Sequence, residues 1–368
     1  MFTSVPSQIK AAEIVLGCEE IADTLSFYQE RLGFQLDAIF PADDPTNAVI
    51  SGYGLRVHLV RGSNEGPGTL RLLCDNPLAA SRGEGDLIAP NGTRIEFVEL
   101  DPPMVVPEVA QSLVITKNNA NAEIITGRAG MRYRDLIPGR LGGHVIASQI
   151  SIPDAGPVPD NVHYHKVLFQ LIYCYKGWVK VLYEDNGPPI TLHAGDCFMQ
   201  PPEIRHRVLE SSKGLEVIEV SVPSEHITYL DHEMELPTPE LRPEREYTGQ
   251  KFVNHQAAKA QWAPWRLAGF EARDLEINAA TNGVADVKVA RVKGNRAPIT
   301  TSHDCPMIFN FVLEGEMKLR IEEGEAEVLA ASDSFVVPAG MKHTIFDYSD
   351  DLEILEVALP AAFETRVW

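Results

Sequence analysis

The sequence has no long hydrophobic run, no paired cysteines and no cluster of basic residues. It contains no window of about 18 apolar residues, which argues against a membrane-spanning helix. Its opening lacks a basic region followed by an apolar run and a small-residue cleavage site, so no secretory signal is expected. Acidic residues outnumber basic ones by 52 to 32, and a formal charge of −20 repels phosphate backbones. We therefore expect neither nucleic acid nor a membrane as a partner.

The five cysteines are scattered along the 368 residues, and no two of them form a CxxC pair. This pattern favours neither a disulfide framework nor a cysteine-based zinc site. Free, buried thiols are typical of a reducing compartment, so the expected location is the cytoplasm.

Two segments in the last two thirds of the chain repeat each other. LEVIEVSVP at 215–223 recurs as LEILEVALP at 352–360, a shift of 137 positions. Each of the two modules that contain these segments is a series of short β-branched and aromatic runs separated by Gly, Pro, Asn and Asp. This pattern is typical of a β-sandwich or a small barrel. The segment ELPTPELRPERE at 235–246 lies between the two modules and is rich in proline and charge, as linkers are. We predict a β module at 104–234, a linker at 235–246 and a second β module at 247–368.

The first hundred residues follow a different pattern. A run at 21–34 has apolar residues at helical spacing and comes directly after a strand-like segment. Two similar runs, GLRVHLV at 54–60 and GTRIEFV at 92–98, are typical of strands. The proline-rich DPPMVVPEV at 101–109 marks a boundary. These features predict a small α+β domain over 1–103.

The first β module carries a spaced set of histidines and glycines. On a strand, alternate side chains point to the same face, so His163 and His165 face the same way. The full pattern is His163-x-His165-x4-Gln170-x6-Gly177, followed by Gly195-x5-Pro201-x4-His206. With the duplicated module, it resembles the two motifs of the cupin superfamily, and residues 105 to 368 resemble a bicupin. The resemblance implies a mainly β protein with two double-stranded β-helix, or jelly-roll, barrels.

In the cupin superfamily these two motifs place three histidines and a carboxylate inside one barrel. The resemblance therefore implies that His163, His165 and His206 bind a divalent metal. Gln170 stands where the family has glutamate, so we expect it to act in catalysis, either as a weak amide-oxygen ligand or as a hydrogen-bonding group that orients the substrate. Imidazoles bind Fe(II), Mn(II), Ni(II) and Zn(II), and Fe(II) is our first choice.

The second module keeps only part of this pattern. Its His303 and His343 correspond to two of the histidines, whereas Thr301 and Ile308 replace His163 and Gln170. We expect no occupied metal site there, and we expect this barrel to stabilise the first one.

The first domain resembles the vicinal oxygen chelate superfamily, which includes glyoxalase and extradiol dioxygenase folds. The resemblance rests on AEIVLGCEEIADTLSFYQERLGF and APNGTRIEFVEL. Glu13, His58 and Glu96 fall at ligand positions of that family, but the fourth position lies near Arg71, and the second half is too short for a full unit. We therefore expect these three to be solvent-facing strand residues and the domain to serve in dimerisation or as a substrate lid.

The functional prediction is a non-haem Fe(II) dioxygenase that acts on a small chelating anion such as a diketone, a catecholate or a carboxylate. The first alternative is a redox-neutral isomerase or lyase that uses Zn, Mn or Ni and consumes no O₂. The second is a bicupin that binds a small molecule without turnover. The expected partner is a small-molecule substrate, and the cupin resemblance makes a homodimer a further expectation.

Overall fold

The computed structural model describes residues 9–31, 33–52, 54–63, 69–88, 94–119, 122–294 and 297–368. Contacts divide the chain into two compact units. The first comprises Met1–Val105 with Ile227–His232, and the second comprises Val106–His226 with Glu233–Trp368. In the part of the chain that is described, no helix is long and apolar enough to cross a membrane.

The first unit is a mixed sheet with short helices. Its elements are β1 (Ile9–Cys18), α1 (Ile21–Ser26) continued by a π-helical turn (Phe27–Arg31), β2 (Gln35–Phe40), β3 (Asn47–Gly52), β4 (Leu55–Arg61), β5 (Thr69–Cys74), α2 (Pro77–Ala80), β6 (Leu87–Ile88) and β7 (Arg94–Glu99). The strand Thr228–Leu230 starts the sheet, which continues in the order β2, β3, β4, β1, β5, β7 and β6. β1 pairs parallel with β4, and β5 pairs parallel with β7. β1 and β5 pair antiparallel with each other, so the two halves of the unit repeat one arrangement.

Alternation along β4 separates an apolar face from a polar one. Val57 and Leu59 are each 1% exposed and pack in the core of the unit with Ile50 of β3. Arg56 and His58 therefore project from the opposite face of the sheet. The two segments predicted as strands, 54–60 and 92–98, correspond to β4 and β7 over their described residues.

Along the chain, the second unit begins with a short separate strand, β8 (Val114–Thr116), which is followed by the strands of barrel 1, the first of the two predicted β modules. The strands of barrel 1 are β9 (Ile125–Thr126), β10 (Arg132–Asp135), β11 (Ile146–Ile152), β12 (Gly156–Pro157), β13 (His163–His165), β14 (Phe169–Lys176), β15 (Trp178–Tyr183), β16 (Ile190–His193), β17 (Cys197–Met199), β18 (His206–Ser211) and β19 (Leu215–Val222). A 3₁₀ turn (Arg128–Gly130) and α3 (Arg140–Gly143) connect them, and the strand Thr228–Leu230 of the first unit follows as β20. One sheet has the order β17, β14, β19, β11, β10 and β9, and the other contains β16, β15 and β18, with β12 and β13 on β18.

Barrel 2 repeats this plan. Its elements are β21 (Glu246–Tyr247), β22 (Gln250–Lys251), β23 (Val253–His255), a 3₁₀ turn (Ala257–Lys259), β24 (Trp262–Pro264), β25 (Phe270–Asp274), α4 (Ile277–Ala280), β26 (Asp286–Val292), β27 (Ile299–His303), β28 (Met307–Glu314), β29 (Glu316–Ile321), β30 (Ala326–Ala330), β31 (Ser334–Val336), β32 (His343–Phe346), β33 (Glu353–Leu359) and β34 (Thr365–Val367). Its sheets have the orders β24, β25, β26, β33, β28, β31 and β30, β29, β32, β27, β34.

The two barrels exchange strands. β8 precedes barrel 1 in the chain but pairs with β31 of barrel 2, and β23 precedes barrel 2 but pairs with β17 of barrel 1. A shared apolar layer lies between them and includes Leu171, Phe309 and Phe311, each 0% exposed. The barrels are therefore one structural body, with a continuous core across their contact.

The turns after β14 and β28 repeat the same tight geometry. Gly177 and Gly315 have φ values of 76° and 75°, a region that favours glycine. A Cβ at either position would lie 2.3 Å from a serine Oγ, that of Ser212 or Ser349. The repeated glycines are therefore required both by backbone conformation and by space.

Candidate metal centre

Three histidines meet inside barrel 1. His163 and His165 lie at the two ends of β13, and His206 begins β18 directly opposite His163 in the antiparallel register. They are 1%, 7% and 4% exposed. One ring nitrogen from each side chain lies within 4.8 Å of the others. The alternation of β13 and the register with β18 thus place all three predicted ligands at one point.

The hydrogen bonds of two of the rings define which nitrogens are available. Nδ1 of His163 donates to the carbonyl of Asn161 at 2.8 Å, and Nδ1 of His206 donates to the carbonyl of Ile204 at 3.0 Å. Both Nε2 atoms therefore carry a lone pair. Burial is the main cause that lowers the pKa of His206 to about 4 and holds the pKa values of His163 and His165 well below their ordinary value. Three neutral imidazoles are the protonation state that a metal requires.

A buried arginine also contacts this cluster. Nη2 of Arg128 donates to Nε2 of His163 at 3.0 Å, and its Nη1 binds Asp160. Asp160 also accepts the backbone N–H of Val208 at 2.9 Å, and its side chain is 0% exposed. Burial alone would lower the pKa of Arg128, but Asp160 raises it above the ordinary value. A permanent cation therefore occupies one of the three lone pairs that a metal would use.

Gln170 lies on β14, the strand that follows the histidine pair, and is 1% exposed. Its Nε2 donates to Oε1 of Glu219 on β19 at 2.6 Å. Glu219 also accepts a hydrogen bond from Ser221 at 3.4 Å. The side chain at this position of β14 is thus an amide that is held by a carboxylate of the neighbouring strand in the sheet.

Two further side chains border the histidines. The ring of His226 lies edge-on to His165 with 5.5 Å between ring centroids, and its Nδ1 donates to the carbonyl of Pro223 at 3.0 Å. Tyr183 stacks on His206 at 5.5 Å, while its hydroxyl accepts a bond from Gln200 at 3.0 Å. These contacts fix the ring planes of His165 and His206 before any ligand binds.

Barrel 2 does not reproduce the triad. Nε2 of His343 accepts from Thr301 at 3.1 Å, and Nε2 of His303 donates to the carbonyl of Val337 at 3.1 Å. Arg266 clamps the buried Glu356 with two hydrogen bonds nearby in the barrel. Within the residues that the structure describes, the only group of three or more side chains able to share a metal ion is His163, His165 and His206.

The three candidate residues of the first unit were expected to be solvent-facing, but the structure shows that they are not. Glu13 is 4% exposed, and the side chains of His58 and Glu96 are 13% and 15% exposed. Arg71 contacts all three, at 3.3 Å to Glu13, 3.1 Å to Nδ1 of His58 and 2.8 Å to Glu96. The expectation was wrong because a guanidinium on the neighbouring strand satisfies buried polar groups that would otherwise need water.

Four residues at the triad were missed by the sequence analysis: Arg128, Asp160, Glu219 and His226. A signal existed for two of them. Arg128 corresponds to Arg266 by a shift of 138, and Glu219 corresponds to Glu356 by a shift of 137, so both lie in the internal repeat. In each barrel the repeated arginine binds an acidic side chain, Asp160 in one and Glu356 in the other.

Comparisons with known proteins agree with this architecture. Residues 289–357 match the family model described as a cupin domain. The structure is similar to the oxalate decarboxylase of Lactobacillus farciminis in a formate complex, at 13% identity, over 72% of this chain and 90% of that one, with a TM-score of 0.51. A deletion variant of the oxalate decarboxylase of Bacillus subtilis matches at 14% identity over 73% and 80% of the two chains, with a TM-score of 0.50. A salicylate 1,2-dioxygenase from Pseudaminobacter salicylatoxidans matches at 15% identity over 64% and 80%, with a TM-score of 0.49.

No curated protein matches the chain. At these identities the structural matches show the fold alone. The two matches with TM-scores of 0.51 and 0.50 confirm the predicted mainly β class with two cupin barrels.

Proposed function

We propose that barrel 1 is the active site of a metal-dependent enzyme and that His163, His165 and His206 hold its divalent ion. The observation that carries this proposal is the convergence of three buried, neutral imidazoles within 4.8 Å. Burial of three histidines side by side costs free energy, and metal coordination would offset that cost. Strands hold all three, so little rearrangement of the backbone is needed.

Iron(II) is the proposed metal, and a small chelating anion is the proposed substrate. Three neutral ligands leave the charge of a divalent ion uncompensated, which favours an enolate of a diketone, a catecholate or a carboxylate. When bound, the ion would polarise the substrate oxygens, and iron would also allow the substrate to react with O₂. We therefore propose a dioxygenase.

Two side chains of this site are proposed to act on the substrate. A metal at Nε2 of His163 would displace Arg128 from that atom, so its Nη2 would become available to donate to an anionic substrate while Nη1 stays on Asp160. Gln170 donates through Nε2 to Glu219, so its Oε1 remains the acceptor with which it can orient a substrate hydroxyl or a water molecule.

A second candidate function follows from the Arg128 contact. In the observed arrangement Arg128 donates to both Asp160 and His163, and Asp160 also lies 3.5 Å from Nδ1 of His163, so these three side chains contact one another without a metal. This favours a binding protein in which the arginine takes a small anion and no turnover occurs.

Elemental analysis of protein purified without added metal tests the proposal. We expect near one equivalent of iron in the wild type and in His303→Ala, and its loss in His163→Ala. Oxygen uptake with diketones and catechols would then identify the reaction. Zinc, manganese or nickel without oxygen uptake would favour an isomerase or lyase, and absence of metal after reconstitution would refute the enzyme and leave the anion-binding protein.

A further inference from the structure

The first unit contains a cavity of about 240 Å³ that the proposed function does not use. Its walls are mainly apolar and include Ala38, Phe40, Val49, Leu73, Val98 and Tyr229. One side is polar and is formed by Glu13, Arg56, His58 and Arg71, and the exposed Glu99 also belongs to the lining. An apolar cavity with a few converging polar groups is the usual form of a small-molecule site.

The polar side is a ladder of alternating charge across four strands. Glu13 of β1 lies opposite Arg56 of β4 and Arg71 of β5, and Arg71 lies opposite Glu96 of β7. Residues in register on neighbouring strands share one face of a sheet, so these side chains meet. The contacts are 3.2 Å from Arg56 to Glu13, 3.3 Å from Arg71 to Glu13 and 2.8 Å from Arg71 to Glu96.

This ladder does not suit a metal ion. Arg71 already places a positive charge among Glu13, His58 and Glu96 and binds an atom of each. Burial alone would raise the pKa of Glu13, but His58, Arg56 and Arg71 hold it below its ordinary value. The carboxylate is therefore ionised, and its charge is balanced by arginine.

Donors remain for a ligand on the two arginines. Arg71 uses Nε and Nη1, and in the described part of the chain no hydrogen bond is made by its Nη2. Arg56 has its ion pair with Glu13 through Nε, and among the described residues its Nη1 and Nη2 have no partner. Both side chains line the cavity and are only 34% and 24% exposed, for Arg56 and Arg71. Half-buried guanidinium groups with unused N–H atoms are suited to bind a carboxylate.

We infer that this cavity binds a small monocarboxylate with a compact apolar body, with the carboxylate on Arg56 and Arg71 and the body against Phe40, Val49 and Leu73. Glu13 and Glu96 offset only part of the positive charge of Arg56, Arg71 and Arg94, so a singly charged ligand fits the site better than a phosphate. The cavity is smaller than the roughly 300–1,000 Å³ of sites for drug-sized ligands, which limits the body to about one ring.

The test is isothermal titration of the metal-free full chain with benzoate. We expect saturable binding with a dissociation constant at or below about 1 mM, and much weaker binding of the neutral analogue benzamide. Arg56→Gln should weaken benzoate binding about tenfold or more, because it removes charged hydrogen-bond donors. Arg61→Gln is the matched control: it lies on the same strand with a similar 32% exposure but pairs with Asp44 outside the cavity.

The controls separate this site from barrel 1. His163→Ala should bind benzoate like the wild type, whatever its metal content. Arg71→Lys keeps the charge but loses the planar fork, so it should also weaken benzoate binding. It takes the place of Arg56→Gln if that variant proves unstable. Equal affinity in wild type, Arg56→Gln and Arg71→Lys would overturn the inference, as would loss of binding in His163→Ala or no saturable binding in the millimolar range.

Discussion

Substitution of Arg128 by glutamine should tighten metal binding to barrel 1 while it destabilises the metal-free protein. In the structure Arg128 donates to the same His163 nitrogen that a metal would use. A hydrogen bond to a charged group contributes about 1.5–3 kcal/mol, and about 1.4 kcal/mol corresponds to a factor of ten. Removal of this competitor should therefore lower the dissociation constant about 10- to 100-fold.

The effect on stability has the opposite sign. Arg128 is the partner of Asp160, whose side chain is 0% exposed. Breaking a buried ion pair by removal of one partner costs about 3–5 kcal/mol, because the remaining charge stays buried. The double variant Arg128→Gln with Asp160→Asn should recover part of this loss, since neither position then carries a charge.

Competition with a chromophoric chelator, with Zn(II) as the probe ion, measures the affinity, and urea unfolding in EDTA measures the stability. Arg132→Gln is a control, because Arg132 is an exposed arginine on the neighbouring β10. Metal affinity that is unchanged or weaker in Arg128→Gln would refute the competition between the guanidinium and the metal. Unchanged stability would refute the burial argument.

Three further outcomes follow from the structure. Burial lowers the pKa of His206 to about 4, so between pH 6.5 and 4 the unfolded chain binds a proton that the folded chain does not. The stability of the metal-free protein should therefore fall by up to about 3 kcal/mol as the pH drops through that window, and the stability of His206→Gln should fall by less. Arg266→Gln should destabilise barrel 2 by about 1–3 kcal/mol because Glu356 is left buried without its partner, with no change in metal content. Gly177→Ala should cost more than Gly214→Ala, which has a similar positive φ of 67° but open space at the Cβ position and should cost about 1 kcal/mol.

Urea unfolding measures all three, with metal analysis added for Arg266→Gln. An identical pH slope in wild type and His206→Gln would contradict the first. Wild-type stability, or loss of metal, in Arg266→Gln would contradict the second. Equal destabilisation by the two glycine substitutions would show that space at Gly177 plays no part.

The histidine triad was accessible from the sequence because its geometry is local. Alternation on one strand places His163 and His165 together, and a motif spacing supplies His206. Arg128 was not accessible in this way, because it reaches the site from a 3₁₀ turn 35 positions upstream with no periodicity of its own. The burial of Glu13 was missed for a related reason, since its partner Arg71 is 58 positions away and becomes adjacent only through the strand register.

The predicted division into barrels at 104–234 and 247–368 rests on the internal repeat. The repeat identifies modules of similar sequence, but it contains no information on which sheet a flanking strand joins. β8 and β23 are three residues each, too short for a pattern that could select a partner. Their exchange depends on the contact between the barrels, which forms only in the folded chain.

This exchange sets an order on folding during synthesis. Barrel 1 can complete its sheet only after residues 253–255 have left the ribosome, and β8 has no strand partner until residues 334–336 have been made. Long-range pairings of this kind form late and slowly. A ribosome that stalls between the two barrels would therefore present an open sheet edge on barrel 1 and an unpaired β8, which are the conditions under which nascent chains associate with one another.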